Sequence, residues 1–80
     1  MPYIMIDPNG VIHGAGETEA LARAAAEYEP DARELLPASP DLLAMALADG
    51  RDTPWIIDDA GIAVTLGEMD AHLMASRGVV

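Results

Sequence analysis

His13 and His72, Ser39 and Ser76, and fourteen Asp and Glu carboxylates are the side chains of this 80-residue chain best suited to chemistry; it has no cysteine. A zinc centre needs four N, S or O ligands, or three and an open position when it is catalytic. Two imidazoles far apart in sequence, with no motif around either, read as structural or exposed histidines. Ser39 precedes Pro40-Asp41 and is accounted for as a helix cap. Ser76 sits near the end of a helix, and neither serine lies in a Gly-x-Ser-x-Gly elbow. Gly10-Val11-Ile12-His13-Gly14-Ala15-Gly16 has the glycines of a phosphate loop but neither its spacing nor its lysine, and Glu17 and Glu19 would repel a phosphate. Asp7-Pro8-Asn9 and Asp58-Asp59 fall short of a calcium loop, whose oxygens alternate over about twelve residues. No catalytic set, metal or cofactor is expected, and the chain reads as a non-enzyme.

The carboxylates as a population are the extreme feature. Fourteen acids face four Arg and no Lys, for a formal charge of −10. Such a surface repels nucleic acid and anionic membrane and attracts basic protein surfaces. Solubility or a salty cell is the plainer explanation, but this much charge on a short chain costs stability through self-repulsion, and a basic partner would offset that cost. Two stretches concentrate the acids: Glu27, Glu29, Asp31 and Glu34 at a helix exit, and Asp49, Asp52, Asp58 and Asp59 along a helix–hairpin connection. Turns and helix ends lie at the surface, so the carboxylates of both stretches are expected to be exposed together as partner-binding patches, with the Asp52–Asp59 side favoured because its turn projects. A solvated rim explains them equally well; a patch imitating the charge spacing of a nucleic-acid backbone is the functional alternative.

These groups must be carried by elements that the sequence marks clearly. Two hairpins are written in the same turn chemistry, Tyr3 to His13 around Asp7-Pro8-Asn9-Gly10 and Pro54 to Val64 around Asp58-Asp59-Ala60-Gly61, each ending its turn on a glycine suited to positive φ. Shifted onto each other the outer units also match Gly16 with Gly67 and Glu17 with Glu68, which a duplication or shared turn chemistry would each produce. Thr18 caps a helix from Glu19 to about Glu29, with Ala20, Leu21, Ala24, Ala25 and Tyr28 as its buried stripe. Arg33 to Leu36 reads as a strand. Ser39 caps a second helix, Pro40 to Asp49, with Leu43 and Leu47 inward and Gly50 as its stop. Thr65 and Glu68 form a capping box for a third, Leu66 to about Arg77, burying Leu66, Met69, Leu73 and Met74 before Gly78 ends it and Val79-Val80 fray. Trp55, the only Trp, is expected in the sheet and mostly buried. The class is α+β: a single domain over residues 1–80, with an antiparallel sheet of about five strands and three helices in the order ββαβαββα.

With no basic leader and no apolar run of about eighteen residues, a cytoplasmic protein is the default. In size, in its Lys-free surface and in the acidic clusters Glu27–Glu34 and Asp49–Asp59, the chain resembles the small acidic anti-CRISPR proteins of phages and mobile elements, in particular those that inhibit type I-C systems. That resemblance implies an inhibitor in a bacterial host that binds a type I effector complex, imitates DNA and blocks target binding. It implies neither direct nucleic-acid binding nor membrane attachment, and leaves the oligomeric state open. The alternative from another class is a regulatory or antitoxin-like module that docks through an apolar surface.

Overall fold

The computed structural model describes the backbone of residues 1–77 and the side chains of residues 1–71. The expectations for His72, Leu73, Met74, Ser76, Gly78, Val79 and Val80 fall outside the described residues. Strand β1 (Tyr3–Ile6) pairs antiparallel with β2 (Ile12–Gly16) on one side and with β3 (Glu34–Pro37) on the other. Helix α1 (Glu19–Ala25) lies between β2 and β3 in sequence, and α2 (Pro40–Asp49) follows β3. A 3-10 turn over Gly50–Asp52 leads to β4 (Ile56–Ile57), β5 (Ala63–Val64) and α3 (Leu66–Arg77). The α+β class holds, with three α-helices and five strands among the described residues. The strands form two antiparallel sheets, β2-β1-β3 and β4-β5, joined by an isolated parallel bridge between Ala38 and Ala63.

Period-two alternation in β1 assigns its two faces. Ile4 and Ile6 point to one side, where they form a core with Ile12, Ala38, Leu42, Ala46 and Ala63 under α2 and the small sheet. Met5 points to the other, packing with Ala22 and Ala26, flanked by Tyr3, Ala32 and Leu35. The large sheet therefore lies between α1 on one face and α2 with the second hairpin on the other.

Helix α1 departs from the expected stripe. Ala22 and Ala26 are its buried positions, while Leu21 is 55% and Tyr28 89% exposed. Glycine in β2 explains the rotation. A Cβ placed on Gly14 would lie 2.8 Å from both the Ala22 carbonyl oxygen and the Ala26 nitrogen, and one on Gly16 would lie 2.6 Å from the Leu21 Cβ. Backbone packs on backbone, so only the alanine face of the helix fits. The helix also stops at Ala25, four residues before Glu29. In α2 the buried side chains are Leu42, Leu43 and Ala46, and Leu47 is turned out to solvent. Leu66 is likewise exposed and Met69 half-buried.

Helix ends follow their caps closely. The Thr18 and Ser39 hydroxyls accept from the Leu21 and Leu42 amides at 3.2 and 3.1 Å. Gly50 closes α2 at φ 70°. Gly10 and Gly61 end their turns at φ 82° and 80°. The two turns share their bonding: Asp7 Oδ1 accepts from the amides of Asn9 and Val11, and Asp58 Oδ1 from those of Ala60 and Ile62. Beyond the glycine the likeness ends, since the helix caps Thr18 and Thr65 follow Gly10 and Gly61 at different distances. Shared turn chemistry is sufficient to explain the match.

Trp55 is half-buried and lies just before β4, outside the sheet. Its indole N–H donates to the Gly10 carbonyl at 2.8 Å, and its ring packs against the Ile4–Leu42 core. An aromatic with a polar edge is thereby used as a strut from the second hairpin to the turn of the first.

The glycine contact carries a direct consequence. Gly14→Ala should destabilise by about 1–3 kcal/mol, because backbone atoms, not a movable side chain, stand where its methyl would go. Gly67→Ala, in the open first turn of α3 where the nearest foreign atom is 3.9 Å away, should stabilise by up to about 1 kcal/mol. Urea unfolding of the two variants checks both signs.

Candidate functional site

Two polar networks organise the surface. The first begins at the turn after β1. Asp7 Oδ2 faces His13 Nε2 at 2.8 Å across the hairpin. The hydrogen bond from His13, and then the backbone amides of Val11 and Asn9, hold the Asp7 carboxyl below the usual carboxylate range. The His13 side chain is only 8% exposed, and its Nδ1 has no hydrogen-bond partner. Glu29 Oε2 stands 3.6 Å from that nitrogen, and Glu29 Oε1 accepts from the Arg51 guanidinium at 2.7 Å. Asp7, His13, Glu29 and Arg51 thus link the first turn, β2, the segment after α1 and the turn after α2. The Asp7–His13 pair was open to sequence reasoning, since the two residues straddle one hairpin turn. Nothing local pairs Glu29 with Arg51.

The second network joins two helix starts. The Thr65 hydroxyl accepts from the Glu68 amide at 3.0 Å, and Glu68 Oε2 accepts from the Thr65 amide at 2.7 Å, completing the capping box. The same Glu68 oxygen accepts from the Ser39 hydroxyl at 2.7 Å, so the cap of α2 is tied to the cap of α3. Partial burial pushes the Glu68 carboxyl up, but the hydrogen bonds from Ser39 and Thr65 outweigh it and leave it below its ordinary value.

The acids expected to bind a partner are distributed around these networks. Glu27, Asp31, Glu34, Asp49, Asp52 and Asp59 are exposed. Glu29 is half-buried in its bridge to Arg51, and the half-buried Asp58 spends one oxygen on its turn. The expected second patch, Asp49 to Asp59, is divided. Asp49 and Asp52 flank Arg51, which draws them to the Glu27–Glu34 segment through Glu29. Asp58 and Asp59 instead border a cleft of about 320 Å³ with Val64, Glu68 and Met69. Glu68 is bonded to Ser39 at the opposite end of α2 from Asp49, and ten helical residues span roughly 15 Å. Connection along the chain does not amount to a shared face.

A smaller cleft, about 220 Å³, runs beside β2 between the two helices, lined by His13, Gly14 and Ala15, by Ala25 of α1, and by Leu47 and Arg51. Among the described residues no three His, Asp or Glu side chains are grouped to hold a metal ion. The site can therefore offer carboxylates, one tethered guanidinium and apolar walls. No family model, no curated protein and no solved structure matches this chain.

Both perturbed carboxyls predict acid sensitivity. Their pKa values are lowered in the folded chain, so the stability they contribute is complete above the ordinary carboxylate range, about pH 4, and is lost as pH falls through the folded values. Glu68→Gln should cost about 0.5–2 kcal/mol at pH 7 by weakening both caps. It should also lose less melting temperature than the parent between pH 6 and about pH 2.5. Thermal melts across that window test it; parallel curves would detach Glu68 from the acid response.

Proposed function

We propose that this chain is a protein-binding inhibitor that offers carboxylates to a basic, nucleic-acid-binding surface, as anti-CRISPR proteins do with type I effector complexes. One observation carries the reading: the Arg51–Glu29 bridge ties the segment that carries Glu27, Asp31 and Glu34 to the turn that carries Asp49 and Asp52, and all five of these acids are exposed. Carboxylates engage the same Lys and Arg that phosphates would, and steering by the field of a −10 chain raises the association rate. The four arginines oppose this little, since Arg23 and Arg51 are already paired with Glu19 and Glu29. No helix among the described residues is long and apolar enough to cross a membrane.

The second reading, docking through an apolar surface, is favoured by the exposure of Leu21, Tyr28, Leu47, Ile56, Ile57 and Leu66. Salt separates the two, because screening acts within about 8–10 Å near physiological strength and weakens only charge-led binding.

Reversal of Glu27, Asp31 and Asp52 to Lys should abolish inhibition of target-DNA binding by a type I effector complex while the melting temperature stays within a few degrees. Glu29 and Asp58 are unsuited to that test because both also hold the fold. Asp59→Lys alone, on the divided-off hairpin, should inhibit normally. Unaltered inhibition by the triple variant, or DNA binding untouched by the parent protein, would exclude the proposal.

A further inference from the structure

His13 and Arg51 line a cleft beside a sheet edge that no other strand pairs among the described residues. Among the described residues β2 has one strand neighbour, β1, and no backbone hydrogen bond joins β2 to any other element. The direction of its free groups follows from Pro37. Pro37 lies opposite Tyr3 and has no N–H to give, so Tyr3 directs its own backbone groups at Gly16 of β2. The bonds Ala38 N–H to Pro2 O and Arg33 N–H to Ile6 O agree: even-numbered residues of this stretch face β3. Ile4 therefore turns away from Ala15, and the N–H and C=O of Ala15 point outward, beside the cleft between α1 and α2.

Chemistry around this edge defines its occupant. Ala25 and the 69%-exposed Leu47 are apolar walls. At the His13 end, Arg51 of the chain itself lays a guanidinium on Glu29, which shows the kind of head group that end accepts. Glu27, Asp49 and Asp52 supply further acids near that pair. A second copy of this chain would bring −10 against −10, so charge complementarity excludes it and selects a cationic segment.

We infer that the outer edge of β2 receives an extended, arginine-bearing segment of the partner as a fourth strand, its backbone on Ala15, its apolar side chains all to one face, on Leu47 of α2, and its guanidinium groups to the other, toward Glu29 and the acids around it. This rests on the carboxylate-presenting function proposed above and adds the form in which the partner's basic groups arrive. Arg51 uses only Oε1 of Glu29, and Oε2 stands 3.6 Å from His13 Nδ1 without a hydrogen bond, so an incoming guanidinium can join the pair without displacing Arg51.

The probe is a capped eight-residue peptide, four Arg-Val repeats, titrated into the whole protein at low salt, beside the same peptide methylated on every valine nitrogen and a four-repeat Thr-Val peptide. Strand addition expects the Arg-Val peptide to slow hydrogen exchange at the Ala15 amide at least tenfold. It also expects valine methylation, which keeps charge but blocks pairing along one edge, to weaken binding at least tenfold. Ala15→Pro, which removes an outward N–H and no ladder bond, should weaken the peptide equally, and the methylated peptide gives the same information if that variant does not fold. Equal binding of parent and methylated peptides, or an unchanged Ala15 amide, overturns strand addition and leaves charge-led inhibition standing. Thr-Val binding as tight as Arg-Val overturns the cationic occupant and the acidic function together.

Discussion

The contact of β2 with α1 is the constraint on which most of this molecule depends. Gly14 and Gly16 allow the helix backbone to within a distance no Cβ could occupy, and Ala22 and Ala26 are the buried side chains that meet this face of the sheet. A chain without Phe, rich in Ala, has few large side chains with which to fill space. Close approach compensates, since packing density and not residue size sets the dispersion gain. The arrangement also determines the surface. With Ala22 and Ala26 inward, Leu21 and Tyr28 must face solvent, and the segment after α1 carries Glu29 to His13 and Arg51.

The acids divide by what the fold asks of them. Asp7 and Asp58 each close a turn through two backbone amides, Glu68 ties two helix starts, and Glu29 anchors Arg51. Hydrogen bonds of this kind are charge-assisted and compensate for removing a carboxylate from water. Glu27, Asp31, Asp49 and Asp52 have no such duty and stand in solvent. They add to the self-repulsion of the chain without supporting it, which is the physical reason to seek their purpose outside the molecule.

Trp55 and Glu68 play related parts on the other face. Each joins segments far apart in sequence through a polar bond at the margin of an apolar core: Trp55 to Gly10, and Glu68 to Ser39. Together with the bridge between Ala38 and Ala63, they hold a two-stranded sheet too short to be stable alone against the three-stranded one.

What the sequence determined by itself is local. Both hairpin turns, the positive φ of Gly10 and Gly61, the caps Thr18, Ser39 and Thr65, the bounds of α2 and the start of α3 follow from interactions spanning at most four residues. So does the α+β class, which needs only the kinds and order of the elements. Facing was decided by tertiary structure. Leu21, Tyr28, Leu47 and Leu66 have the apolar character of buried residues and are exposed, because hydrophobicity ranks side chains without knowing the shape of the opposing surface. Gly14-Ala15-Gly16 held the relevant signal, glycine in a strand before an alanine-rich helix, but its meaning required the two backbones to be side by side. The division of the strands into two sheets, the strut from Trp55 to Gly10, and the pairing of Glu29 with Arg51 are likewise long-range. The acidic stretch Asp49–Asp59 is contiguous along the chain and divided in space, because the chain returns along the length of α2 between Asp52 and Asp58.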